Sequence, residues 1–263
     1  MQGGSVSFDL SITADTGTNI VYNPGPYDSI VGYTELPTSW LSFNPSSLTL
    51  SAGQTKSTTV TITVPSAATP GSYAKKIKFN PATTPASAPG SGVNVYVNVK
   101  AAQKQITVTA SPGGAIGGTF KVTYTKGGTT YTNVEKTTTW TEMVDAGTTV
   151  TVSQPQDIIY DGSVSGKRYK FDSYDPSSSV TMTEAKTITL FYKTQYQLTI
   201  SVDPAGAGTT NPAVGSYWYD SGETVVIYAV ANPGWTFDEW LLDTVSQGHG
   251  KDKIEVTMDK AHD

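Results

Sequence analysis

The 263 residues carry 17 basic and 22 acidic side chains, a formal charge of −5. So mild a negative charge favours solubility and offers no basic stripe for a phosphate backbone, which excludes nucleic acid as an expected partner. Zero cysteines exclude disulfides and thiolate metal sites, and no apolar run approaches the roughly 18 residues of a membrane span.

At this length about two or three domains are expected. Fifteen tyrosines, with recurrent Thr, Ser, Val and Gly and only 15% charged residues, make up a strand-and-turn vocabulary rather than a helical one. Met1-Gln2-Gly3-Gly4 does not have the charged-then-apolar pattern of a signal peptide, so a secreted protein would enter this sequence after processing.

In chain order, Ser5–Ile12 and Ser57–Val64 place an apolar residue or Thr at every second position, the mark of half-buried strands. Turns are expected at Asn23-Pro24-Gly25-Pro26, Asn44-Pro45-Ser46-Ser47 and Thr69-Pro70-Gly71-Ser72. Pro81–Gly92 has no periodicity and reads as a long loop before a closing strand, Val93–Val99. The first domain therefore ends near Ala101-Ala102.

The rest of the chain repeats itself. Gln105–Gly114 corresponds to Gln197–Gly206, Asp145–Val150 to Asp220–Val225, Phe171–Tyr174 to Phe237–Trp240, and Val180–Lys186 to Val256–His262. Four blocks in one order predict two copies of a unit. The first copy is longer at Tyr124–Thr139 and Gln154–Gly166, as loop-tip insertions would make it. After Val180–Lys186 the first copy continues into the alternating Thr187–Tyr192, and Asp263 aligns with Thr187. The third domain is thus expected to lack its final strand here, which a neighbouring chain or the parent sequence would supply. Only Trp235–Gln247, with Phe237, Trp240, Leu241 and Thr244 at helical spacing, offers a helical alternative. The repeat instead makes Phe237 and Trp240 core anchors across a bend, and Trp40, Trp140 and Trp235 likewise read as core plugs.

The second copy, with Leu198–Val202, Tyr219-Asp220-Ser221-Gly222, Gly234–Trp240 and Val256-Thr257-Met258-Asp259, resembles the divergent bacterial repeat akin to the B repeat of internalins. The first copy, with Tyr174 where Trp240 stands, joins it by internal comparison. Residues 36–79, with Leu36–Pro45 and Thr69–Tyr73, are similar to immunoglobulin-like modules of prokaryotic surface proteins and secreted hydrolases. Both resemblances imply an extracellular or cell-surface setting and no conserved catalytic residue.

The expected architecture is all-β: small sandwich domains over roughly residues 1–101, 102–193 and 194–263. Chemistry is sparse. His249 sits in a Gly-flanked loop and His262 near the end, so neither is an evident general base, and no enzyme and no cofactor are expected. Gly162-Ser163-Val164-Ser165-Gly166 puts Val where a nucleophile elbow needs Ser. Asp157, Asp161, Asp172 and Asp175 offer oxygen ligands for calcium, at a spacing that matches no EF-hand. Tyr217-Trp218-Tyr219 is the candidate contact surface, its alternation sending Tyr217 and Tyr219 to one side and Trp218 to the other. The expected role is a non-catalytic array for adhesion, spacing or coat assembly, with other surface proteins, host ligands or glycans as partners. The rival is a set of accessory carbohydrate-binding modules of a secreted hydrolase.

Overall fold

Strands form where the sequence alternates. The structure, a computed structural model, describes residues 3–13, 20–82 and 92–263, and it is all-β apart from two one-turn 3-10 helices. The chain divides into two units, Met1–Gln103 and Lys104–Asp263. Among the described residues no helix is long and apolar enough to cross a membrane.

The first unit contains β1 (Ser5–Thr13), β2 (Ile20–Pro26), β3 (Thr34–Glu35), β4 (Leu41–Asn44), β5 (Leu48–Leu50), β6 (Thr55–Thr63), β7 (Gly71–Pro81) and β8 (Val93–Val99). One sheet runs β1-β6-β4; in the other β7 pairs with β8, β2 and the short parallel β3, and β2 with β5. The period-two pattern of β6 buries Thr58, Val60 and Ile62, and the last two share a core with Tyr73, Ile77, Val95 and Val99. A 3-10 turn at Thr38–Trp40 delivers Trp40 onto Tyr73, with ring centroids 5.0 Å apart. The buried Lys75 pairs with Glu35 across β3 and β7.

Asn23-Pro24-Gly25-Pro26, expected as a turn, is instead extended within β2 and pairs with Ile77–Asn80. The register explains why proline is tolerated. Tyr27 donates its N–H to Lys76, so residues of its parity face β7, while Pro24 and Pro26 point to the other edge. There β5 reaches only Ile20–Tyr22, and no ladder bond asks for their missing N–H. The loop expected over Pro81–Gly92 lies for the most part outside the described residues.

The second unit contains all but the first residue of β9 (Gln103–Ser111), then β10 (Thr119–Lys126), β11 (Thr129–Thr137), β12 (Trp140–Asp145), β13 (Thr149–Ser153), β14 (Ile158–Tyr160), β15 (Lys167–Asp175), β16 (Ser179–Thr181) and β17 (Lys186–Ile200). It continues with β18 (Gly208–Asn211), β19 (Gly215–Asp220), β20 (Thr224–Ala231), β21 (Glu239–Leu242), β22 (Val245–His249) and β23 (Lys253–Thr257). A β11-β10-β13-β16 sheet and a β12-β9-β17-β15-β14 sheet enclose Ile106, Phe120, Val150, Met182, Ile188 and Leu190. A β18-β20-β23 sheet and the β21-β22 hairpin close a smaller core of Leu198, Ile200, Val225, Ile227, Val256 and Met258. The expected boundary at 193/194 falls inside β17, which pairs with β9 at its start, β15 through its middle and β19 at its end.

The two halves share backbone bonds. Gly147 donates to Met182, Met182 to Thr148 and Thr183 to Thr181; likewise Gly222 donates to Met258, Met258 to Glu223 and Asp259 to Thr257. Gly147 and Gly222 adopt φ of 80° and 85°, a conformation that favours glycine at both turns. Thr149↔Thr181 on β13 and β16 matches Thr224↔Thr257 on β20 and β23.

Trp235–Gln247 forms no helix: its end is the β21-β22 hairpin. Cross-strand pairing there satisfies the backbone and overrides a short helical signal. Trp240 packs on the small core and meets Phe237 at 5.5 Å. Trp235 is no core plug, being 53% exposed. Its N–H bonds back to Asn232 around Gly234, and that turn swings the ring outward.

Candidate interaction face on the second unit

The face is built by strand alternation. Along β19, Tyr217 and Tyr219 pack on the small core, so Trp218 points to the opposite side of the sheet. The register Tyr160↔Arg168, Arg168↔Gln195 and Gln195↔Asp220 lines up four strands, and therefore puts these four side chains in one cross-strand row. Trp218 opposes Gln197, one same-face step away.

The row is tied together. Arg168 lies over the Trp218 ring, 4.3 Å from its centroid, and Tyr160 meets Trp218 edge-on at 6.0 Å. Arg168 Nε donates to Gln195 Oε1 at 2.8 Å, and Gln195 Nε2 donates to Asp220 Oδ1 at 2.8 Å. Lys193 adds charge beside Asp172 (3.4 Å) and Asp220 (3.8 Å). Gln195 is buried while Tyr160 is 66% exposed, so the support is fixed and an aromatic surface is open. Rings beside planar donors and acceptors suit a contact surface that recognises polar, partly apolar ligands.

The four aspartates named as calcium ligands are not gathered. Asp161 caps its own loop: Ser163 Oγ and N–H donate to Oδ1 at 2.7 and 2.9 Å, and Tyr169 Oη donates to Oδ2 at 2.8 Å. The Ser163 hydroxyl first, then its amide and Tyr169, hold the Asp161 carboxyl well below the usual carboxylate range. Asp172 faces Lys193 across β15 and β17, Asp157 precedes β14, and Asp175 ends β15. Among the described residues, the three ligating side chains that do converge are Asp238, Glu239 and His249, on or beside the β21-β22 hairpin, with ligand atoms within 4.8 Å of one another. His249 Nδ1 lies 2.8 Å from Asp238 Oδ1, which raises the His249 pKa. His262 is engaged at both ring nitrogens, by Asp243 at 2.9 Å and Asp259 at 3.0 Å.

Sequence reasoning named Trp218 and Asp172 but missed Tyr160, Arg168, Gln195 and Asp220, which only the register brings together. The pattern that places Gln195 outward and Tyr196 inward on β17 is visible in Gln195-Tyr196-Gln197-Leu198, but which strands lie beside it is not.

Residues 198–263 match the family model of the divergent InlB B-repeat domain. No curated protein matches the chain. Among solved structures, a candidate carbohydrate-binding protein of Bacteroides ovatus is similar at 10% identity, 87% of this chain covering 77% of that one, with a TM-score of 0.31. The pilus 2b backbone protein of group B streptococcus is similar at 14% identity over 72% of this chain and 94% of that one, with a TM-score of 0.22. Domains D2 and D3 of the major pilin SpaD of Corynebacterium diphtheriae are similar at 12% identity over 73% and 94%, with a TM-score of 0.23. At such scores no statement about this chain follows from the three likenesses.

Proposed function

We propose that the chain is a non-catalytic array of β modules in a secreted or cell-surface prokaryotic protein, serving adhesion, spacing or assembly. In this reading residues 1–101 are an immunoglobulin-like module and the two halves of the second unit are copies of one divergent repeat. The observation that carries it is the match of residues 198–263 to the B-repeat model, joined to the backbone bonds which that segment shares with the half before it. Antibodies against residues 104–263 should label intact cells of the source organism, and the antigen should vanish on protease shaving. Antigen found only in the soluble cytosolic fraction would refute the reading.

The row Tyr160–Arg168–Gln195–Asp220 beside Trp218 favours a second reading, contact with saccharides, in which rings cover sugar C–H faces while Arg168 and Asp220 meet hydroxyls. A glycan array probed with the full chain tests it. Binding that disappears in Tyr160→Ala and Trp218→Ala supports this reading, and an array without hits, or hits unaffected by both changes, removes it.

A further inference from the structure

Arg168 is the single arginine of the chain, set among lysines. Its surroundings hold the guanidinium plane in place. The guanidinium carbon lies 4.3 Å from the centroid of the Trp218 ring, and Nε donates to Gln195 Oε1 at 2.8 Å. Gln195 is buried, and its amide can face only one way: Arg168 can only donate to its oxygen, and the Asp220 carboxylate can only accept from its nitrogen. One ring face and one oriented acceptor therefore fix Arg168 through its stem side, and the two terminal nitrogens point away from both.

Those terminal nitrogens have no acceptor among the described residues. Nor does Arg168 make an ion pair there, whereas lysines and histidines make all the ion pairs found. The neighbouring carboxylates are engaged elsewhere. Lys193 stands 3.4 Å from Asp172 and 3.8 Å from Asp220, and Asp220 reaches Arg168 only through the Gln195 amide. A preorganised guanidinium fork without an anion is left beside Tyr160, its direct cross-strand neighbour, which is 66% exposed.

We propose that Arg168 binds the carboxylate of an acidic sugar, a uronate or sialate residue whose ring lies on Tyr160 and Trp218; this rests on the reading of the row as a saccharide contact. The planar fork matches the two oxygens of a carboxylate, a fit that a lysine ammonium does not offer. The aromatic rings beside it suit the C–H face of a pyranose. A neutral sugar would leave the guanidinium charge unanswered, and a simple aliphatic acid would leave the rings uncovered. With one arginine at the site, Lys193 already paired and a net charge of −5, a sugar bearing an isolated carboxylate is favoured over a densely charged polyanion.

The test titrates the isotope-labelled full chain with oligosaccharides that differ at one place: a neutral backbone, the same backbone ending in a single glucuronate or sialate, and the methyl ester of each acid. Because Arg168 is alone of its kind, its Nε–H gives one arginine side-chain resonance that needs no assignment. An acid form should bind about tenfold or more tighter than its ester and shift that resonance, which the ester should leave in place. Arg168→Lys keeps the charge but removes the fork, and should erase most of the preference for acid over ester. Tyr160→Ala should weaken acid and ester alike. Should Arg168→Lys fail to fold, as a thermal melt would show, the resonance of the unaltered protein still decides. Equal binding of acid and ester, or acid binding that leaves the arginine resonance unmoved, would overturn the inference and leave the saccharide reading standing; no binding of any of these sugars would remove both. A short peptide ending in Glu that binds as tightly as the acid sugars would also overturn it, because the sugar would then contribute nothing.

Discussion

Between Lys186 and Phe191 the first half of the second unit lays a parallel strand along β9, whereas the second half gives the counterpart of β9 a single rung at His262. The turn before each closing block is held by the same backbone bonds, with Gly147 and Gly222 in the same conformation. Closure is what differs. The first core takes Ile188, Leu190 and Tyr192 from β17, and the second is built around Leu198, Ile200, Val225, Ile227, Val256 and Met258. The lesson is that turn chemistry sets the path of the chain in both halves, while the strands that pair beside each turn decide which side chains each core encloses.

The largest break in this comparison should come from Leu190→Ala. Leu190 is fully buried in the first core, and its truncation should cost about 2–5 kcal/mol in denaturant unfolding. Leu198→Ala, in the smaller of the two cores, should cost less; equal losses would mean that the size of the core does not matter.

A second contrast lies at the turns. Asp145 is buried and accepts Gly127 N–H at 2.8 Å and Gly128 N–H at 2.7 Å, so it pins the β10-β11 turn to the end of β12. Its counterpart Asp220 is part of the open row and bonds Gln195. Asp145→Ala should lose about 1–3 kcal/mol and Asp220→Ala clearly less, as read from paired melts; the reverse order would break the contrast.

Gly166 joins the halves. Its φ is +68°, and a Cβ there would sit 2.6 Å from Ala261 Cβ, while its carbonyl accepts Gln197 N–H at 2.9 Å. Gly166→Ala should cost about 1–2 kcal/mol and speed amide exchange around Gln197 and Ala261. Exchange that rises only near Gly166 would show that this contact does not couple the halves.

The smallest effect should be the acid response at Asp243 in the second half. Burial pushes the Asp243 carboxyl up, but Lys260, the Asp263 amide and His262 together outweigh it and hold the pKa down, from 3.8 to about 2. A depressed carboxylate contributes stability above its unfolded pKa and loses it as pH falls through the folded value. The rung at His262 should therefore hold above about pH 4 and fray towards pH 2, visible as faster exchange at His262 and Asp263. Lys186↔Ile106 should be indifferent over that range.

Much of this was legible in the sequence. Period-two runs such as Ser57–Val64 and Val93–Val99 became β6 and β8, and the matching Asp-x-Gly blocks became matching turns. Tyr217 and Tyr219 share one side of β19 as their alternation required, and the structure makes that side the core. What alternation does not encode is which strands become neighbours. The row of Tyr160, Arg168, Gln195 and Asp220 draws on four strands far apart in the chain, and nothing local marks them as partners. Pro24 and Pro26 misread as a turn for a related reason: whether a missing N–H matters depends on whether a neighbour lies on that side. Size alone suggests burial for Trp235, while the Gly234 turn decides otherwise.

β17 runs unbroken from Lys186 to Ile200 and supplies backbone partners to both halves. In mechanical terms it is a shared spar. Bending between the halves would have to break ladder bonds along it rather than rotate a linker, and a pull along its axis loads the parallel bonds to β9 in shear, many at once. Such a spar should transmit tension stiffly between the halves and yield late.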